Sequence, residues 1–229
     1  EGATDVHRTE EEKEHVLRKN DWKRVALTER QSTGDGESDE HYFWKATMVE
    51  GVALEMWKCY EETEEVDSFS DFAEEEILSE NVIKTESGLK DNDDEEDNGP
   101  TADMKISPSD NGEWAKPAVE QFLNIDEDTG LSDPVYLEFE TGRSEGAFNF
   151  RKIRETLEKY ENESGTVRVV LPPRLLFRGR RRADMVTDLV ENWDEDEARA
   201  YVPVLNGSYC EKLEPAGDVV EELYGGNEE

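Results

Sequence analysis

Residues 135–141 read Val-Tyr-Leu-Glu-Phe-Glu-Thr, a strict alternation that places Val135, Leu137 and Phe139 on one face of a strand and Tyr136, Glu138 and Glu140 on the other. No other segment is so sharply strand-like. A turn through Gly142–Gly146 follows, then an amphipathic helix over 149–162 whose buried stripe is Phe150, Ile153, Leu157 and Tyr160. Residues 166–171 then form a nearly continuous apolar, β-branched run, the pattern of a strand covered on both faces, ended by Pro172 and Pro173. Strand, helix and doubly covered strand in succession point to an α/β fold, a mixed central sheet flanked by helices.

The flanking segments extend this frame. Residues 40–60 carry a helical stripe of Phe43, Ala46, Thr47, Ala53, Leu54, Trp57 and Tyr60, with Glu50 inside it. A weaker strand-like run covers 72–83, and Thr85–Pro100 is a loop whose acidic stretch Asp91–Asp97 reads as solvated. Thr101–Ser107 alternates as a strand, with Ala102, Met104 and Ile106 opposite Asp103 and Lys105. Residues 108–134 read as a long connection with one short helix, 183–193 as a helix and 200–205 as a strand. The turn-rich 31–40 segment sets off residues 1–40 as an N-terminal appendage, leaving an α/β domain over 41–217 and a frayed acidic tail over 218–229.

Composition decides whether this frame can fold at all. Sixty Asp and Glu face 26 Lys and Arg, for a formal charge of -34, and only 34% of residues are hydrophobic. Such values usually mark disorder. Five Trp, eight Phe and seven Tyr, set in periodic segments, argue for a packed core instead. Salt reconciles the two, because in about 1 M salt the Debye length falls to about 3 Å and a carboxylate-coated surface no longer repels itself. The composition resembles that of proteins of salt-loving archaea, their plasmids and their viruses. Without an apolar run long enough to span a bilayer or an N-terminal signal pattern, the expected location is the cytoplasm or a virion, with no membrane partner. Cys59 and Cys210 are too few and too far apart for a disulfide framework or a cysteine zinc site. His7, His15 and His41 lack a ligand spacing and read as surface residues. A first residue of Glu1 rather than Met reads as a processed chain or a fragment.

Two carboxylates two residues apart on one strand face, Glu138 and Glu140, stand about 7 Å apart, close enough to bind or flank a hard cation. Asp103 is the natural third acid if its strand is a neighbour. Glu50 is a fourth, since a carboxylate within an apolar stripe is costly unless paired or metal-bound. Lys152, on the helix after Glu138, is the candidate positive charge. The competing reading is that acid-x-acid pairs are abundant in so acidic a chain and are mostly hydrated surface.

The order of helix with Glu50, strand in Pro100-Thr101-Ala102-Asp103-Met104, strand in Val135 to Gly142 with Glu138 and Glu140, helix with Arg151 and Lys152, and strand Val167 to Leu171 resembles the PD-(D/E)XK nuclease superfamily over residues 40–205. The resemblance implies a restriction-endonuclease-like core. It matches Asp103 to the first acid and Glu138 to the acid of the second motif, and it implies Mg²⁺ or Mn²⁺ at these residues and hydrolysis of a phosphodiester in DNA. Glu140 departs from the pattern, standing where the family usually has Lys; Lys152 is the residue that would replace that charge.

Arg174, Arg178, Arg180, Arg181 and Arg182 form the one basic island in the sequence, suited either to gripping phosphates or to neutralising nearby carboxylates. The appendage, a charged helix over 8–19 and the short strand Trp22-Lys23-Arg24-Val25-Ala26-Leu27, resembles the wing end of a winged-helix domain. The function expected is thus a divalent-metal-dependent nuclease acting on DNA in a halophile, in a virus, plasmid or other mobile element. A catalytically degenerate DNA-binding or regulatory protein of the same fold and a structural or virion assembly protein are the alternatives, and a homodimer is left open.

Overall fold

The computed structural model describes residues 39–61, 68–78, 82–85, 102–108, 112–125, 131, 134–140, 150–160, 165–191, 198–207 and 209–225. Residues 1–38, the acidic stretch 91–97 and the last four residues lie outside them, and so do the side chains of Lys152 and Arg178; residues 39 and 40, assigned to the N-terminal appendage, are instead the start of a helix.

Helix α1 (Asp39–Glu61) is followed by a short helix α2 (Phe69–Phe72) that runs into a π-helical segment (Ala73–Leu78). Strands β1 (Ile83–Thr85) and β2 (Met104–Ile106), helix α3 (Gly112–Phe122) and strand β3 (Val135–Phe139) come next. Helix α4 (Phe150–Glu158), strand β4 (Thr166–Val170), a 3-10 turn (Pro173–Arg178) and helix α5 (Arg180–Glu191) lead to the hairpin β5 (Ala198–Asn206) and β6 (Tyr209–Pro215), and helix α6 (Ala216–Tyr224) completes the order. The six strands form one mixed sheet in sequential order β1 to β6. Strands β3, β4 and β5 run parallel, as the α4 and α5 crossovers require, and the other three pairings are antiparallel.

Two cores cover the two faces of the sheet. On one face Met104, Ile106, Val135, Leu137, Phe139, Val170 and Tyr201 meet α1 and α3. On the other, Tyr136, Val167, Val169, Ala200 and Val202 meet Ile153, Leu157 and Tyr160 of the α4 region, α5 and α6. All five positions of β3 and of β4 are buried, so the strong alternation of β3 divides two cores rather than core from water.

Several expectations are corrected. Residues 72–78 are helical; Ser68 caps α2 by accepting the N–H of Asp71, and Phe69 and Phe72 join an aromatic cluster with Trp57, Tyr60 and Trp114, which the strand reading could not anticipate. The buried side of α1 runs through Trp44, Met48, Val49, Val52, Ala53 and Met56, while Phe43 is 46% exposed. The stripe drawn through Phe43 was therefore rotated, and Glu50 is half-buried rather than at its centre. The helix read over 183–193 begins at Arg180, and Met185 on it is exposed. Residues 216–224 are not a frayed tail: α6 buries Ala216 and Val220, and the Tyr224 hydroxyl donates to Leu176 O at 2.7 Å.

One glycine fixes how closely α1 approaches the sheet. A Cβ on Gly51 would stand 1.8 Å from the Cys210 carbonyl oxygen of β6, well inside contact distance. The bare Cα lets the helix lie on the strand.

Candidate functional site

The site lies where β2 begins and β3 ends. The β2–β3 register pairs Met104 with Leu137 and Lys105 with Tyr136, and Asp103, in a bend rather than in the expected strand, lies one residue before the first pair, at the end of the ladder next to Glu138. Asp103 bends back onto the ladder, where its Oδ2 accepts the Phe139 N–H at 2.7 Å. This bond satisfies a β3 backbone donor that lies beyond Leu137, the last β3 residue paired with β2.

Helix α1 closes the site from the other side of the sheet. His41 Nε2 lies 3.1 Å from Asp103 Oδ1, with the two side chains 15% and 13% exposed, and the His41 ring meets the Phe139 ring edge-on at 5.9 Å. One helical turn on, the buried Lys45 adds its positive charge to the same carboxylate. Burial works to raise the Asp103 pKa, but the His41 contact and charge, the Phe139 N–H and Lys45 together hold it below the usual carboxylate range.

Glu138 is fastened from the opposite layer. The Tyr160 hydroxyl, just past the end of α4, donates to Glu138 Oε1 at 2.5 Å, and its ring lies tilted against Tyr136 with centroids 5.0 Å apart. Burial, and then the Glu138 and Asp103 charges, push the phenol far above its ordinary range, so it remains a proton donor. Both carboxylates therefore act on one hydroxyl. Glu140 is buried just beyond β3, its N–H donating to Val170 O at 3.1 Å.

The remaining expected site residues fall elsewhere or outside description. Glu50 sits nine residues past His41, about 13 Å further along the helix axis, away from the Asp103 end. The backbone of Lys152 is in the first turn of α4, and its ammonium lies outside the described residues. Of the basic island, Arg174 and Arg181 are exposed and Arg182 is half-buried. Arg180 is turned inward on the protein: its guanidinium contacts Glu221 at 3.2 Å, Asp184 at 3.8 Å and the Tyr224 carbonyl at 3.3 Å.

His41, Lys45 and Tyr160 were missed as site residues by sequence reasoning. His41 and Lys45 have helical i, i+4 spacing, which places them on one side of α1. That signal was present, but nothing local ties it to Asp103.

Among the described residues no group of three His, Cys, Asp or Glu stands together as a closed metal cage. The chemistry of the donors suits a different binding mode. Mg²⁺ and ions like it are commonly held by one or two carboxylates, retaining waters and taking substrate phosphate oxygens. Asp103 and Glu138, hard oxygen donors on adjacent strands, fit that mode, with one oxygen of Glu138 and both of Asp103 already oriented by protein partners.

No helix among the described residues is long and apolar enough to cross a membrane. No family model, curated protein or solved structure matches the chain.

Proposed function

We propose that this chain is a divalent-metal-dependent nuclease acting on DNA, built on a restriction-endonuclease-like core with Asp103 and Glu138 as its metal-binding acids. The observation that carries the reading is the bond from the Phe139 N–H at the end of β3 to Asp103 just before β2, next to Glu138 on the β3 strand. The order helix, strand, strand, helix, strand, with the two acids at the start of the first strand and near the end of the second, supports it as well.

Asp103 and Glu138 would hold Mg²⁺ or Mn²⁺, which supplies an acidified water and stabilises the charge that develops on the phosphate. His41 and the Phe139 N–H orient Asp103, and Tyr160 orients Glu138. Lys45 takes the role first assigned to Lys152, a fixed positive charge in a buried setting where electrostatic stabilisation is strongest. Arg174 and Arg181, exposed on the basic island, would contact the DNA backbone.

A second reading, DNA binding without cleavage, is favoured by one observation: Asp103 and Glu138 already receive proton donors, and the same network would serve a purely structural role. Nicking of supercoiled plasmid in molar KCl with Mg²⁺ or Mn²⁺ separates the two. Metal-dependent nicking by the wild type that is lost in Glu138→Ala and Asp103→Asn is the expected result. Retention of DNA by all three proteins, with no nicking by any, would leave the binding reading alone.

A further inference from the structure

Residues 172–183 hold five Arg and no Asp or Glu, in a chain whose formal charge is -34. In their midst stands the most exposed large apolar side chain among the described residues, Phe177, at 61%. The turn that carries it is firmly anchored. Leu175 and Leu176 are buried in the core shared with α5 and α6. Tyr224 of α6 brackets Phe177, its hydroxyl donating to Leu176 O at 2.7 Å and accepting the Gly179 N–H at 3.2 Å. Gly179 takes a φ of +113°, which L side chains rarely adopt, and turns the chain into α5. The exposure of Phe177 is therefore a property of a fixed turn.

The segment Pro173–Arg178 is a 3-10 helix, in which side chains three residues apart eclipse one another. Arg174 and Phe177 thus share one ridge, about 6 Å apart along the axis, and both are exposed while Leu175 and Leu176 turn inward. Arg181 is exposed in the first turn of α5, just beyond Gly179. Resting on the DNA reading above, we infer that this ridge is a single-strand grip: the Phe177 ring stacks on an unpaired base while Arg174 and Arg181 hold phosphates of the same strand. Every base has a π-face, and it is uncovered in a single strand but not inside a duplex. Charge complementarity selects a polyanion for the arginines, and the flat aromatic face selects one that carries bases over an acidic peptide. Salt adds a second reason. The charge of the whole chain repels nucleic acid, and the salt that screens this repulsion also weakens phosphate contacts, which depend on counterion release. Stacking does not depend on that release, so it supplies affinity that persists in concentrated salt.

The test is binding of the full chain, in chelator, to a labelled oligothymidylate, to an abasic strand of the same length and to duplex DNA. Anisotropy is read over a series of KCl concentrations reaching the molar range. The two single strands carry the same phosphates and differ only in their bases. The wild type should bind the thymidylate about tenfold more tightly than the abasic strand, the scale of one stacked base, with the same salt slope for both. Phe177→Leu keeps an apolar side chain and removes the ring; far-UV circular dichroism checks that it folds. It should bring thymidylate binding down to the abasic level and leave abasic and duplex binding unchanged. Equal wild-type affinity for the two single strands overturns the inference without any variant. A folded Phe177→Leu that keeps the preference for thymidylate overturns it too. A wild-type dimer seen in sedimentation and lost in Phe177→Leu gives the ridge to a second copy of the chain and also overturns it. In each of these cases duplex binding leaves the DNA reading intact. Absence of binding to every one of these DNAs overturns that reading, and the inference with it.

Discussion

Asp103 Oδ2 accepts the backbone N–H of Phe139 at 2.7 Å, a bond between residues 36 apart in the chain that fixes the first acid at the end of the strand carrying the second. The contact is directional in a way that a simple clustering of acids is not. It ties Asp103 to the end of β3, with His41 of α1 against Asp103 and Tyr160 of the α4 region against Glu138 on the same strand. A mixed sheet covered on both faces thus brings both helical layers to one point.

The effect of His41, Lys45 and Phe139 on Asp103 predicts an acid limb of stability. The folded pKa lies below the ordinary 3.8, so near and below that pH the unfolded chain binds the extra proton. The stabilisation is present above about pH 4 and is lost as pH falls through the depressed folded value. Asp103→Asn should remove about 1 to 3 kcal/mol at neutral pH, the range for a charged hydrogen-bonded group, and should flatten the fall in stability toward acid. Denaturant melts of both proteins across that pH range, in constant KCl and with chelator, measure the difference.

Lys45 is the residue on which catalysis is expected to depend most after the two acids. Lys45→Met keeps the buried aliphatic stem and removes the charge, so the fold should hold while the nicking rate falls about a hundredfold, the usual scale for loss of one transition-state electrostatic partner. DNA affinity measured by anisotropy should change far less. An unaltered rate would take Lys45 out of the site.

Gly51 offers a test of the fold itself. A methyl at this position meets the Cys210 carbonyl oxygen at 1.8 Å, and the obstacle is the backbone of β6 rather than the tip of a flexible side chain. Gly51→Ala should destabilise the protein by about 3 kcal/mol, the upper part of the overpacking range. Most glycine substitutions within helices gain stability from a better helix former, so the sign as well as the size is diagnostic. Chemical denaturation at fixed KCl reads both.

Much of the frame was legible in the sequence, and the reasons are local. Val135–Phe139 and Thr166–Val170 declared themselves as strands because their residue types suit a pleated surface and their bounds carry Gly and Pro. Ile153, Leu157 and Tyr160 declared α4 by their spacing, while the adjacency of β2 and β3, which the sequence reading could only pose as a condition, is met. What was not legible depended on distant partners. The true buried side of α1 is nearly continuous around the helix because α3, β3 and β6 all cover it, which blurs a single-stripe reading. Strand β6 buries only Cys210 and Leu213, too few residues to give a clear period. His41 read as a surface residue because nothing in its own neighbourhood reveals that Asp103, 62 positions later, would come within 3.1 Å.

The basic island divides into arginines with different tasks, and salt dependence can tell them apart. Arg180 is occupied within the protein, joining α5 to α6 through Glu221 and the Tyr224 carbonyl and lying near Asp184 on its own helix. At 41% exposure such pairs are partly screened, so Arg180→Ala should cost less than about 1 kcal/mol of stability. Because its guanidinium already faces carboxylates, its removal should leave the salt dependence of DNA binding nearly unchanged. Arg181 is exposed on the next position of the same helix. Each phosphate contact contributes about 0.9 to the slope of log affinity against log salt on duplex DNA, through release of condensed counterions. Arg181→Ala should therefore weaken binding and lower that slope by about 0.9, while Arg180→Ala should not. Anisotropy titrations of labelled duplex over a series of KCl concentrations supply both slopes. Equal slopes for the wild type and Arg181→Ala would remove this island from the DNA interface and return it to the intramolecular role that Arg180 already fills.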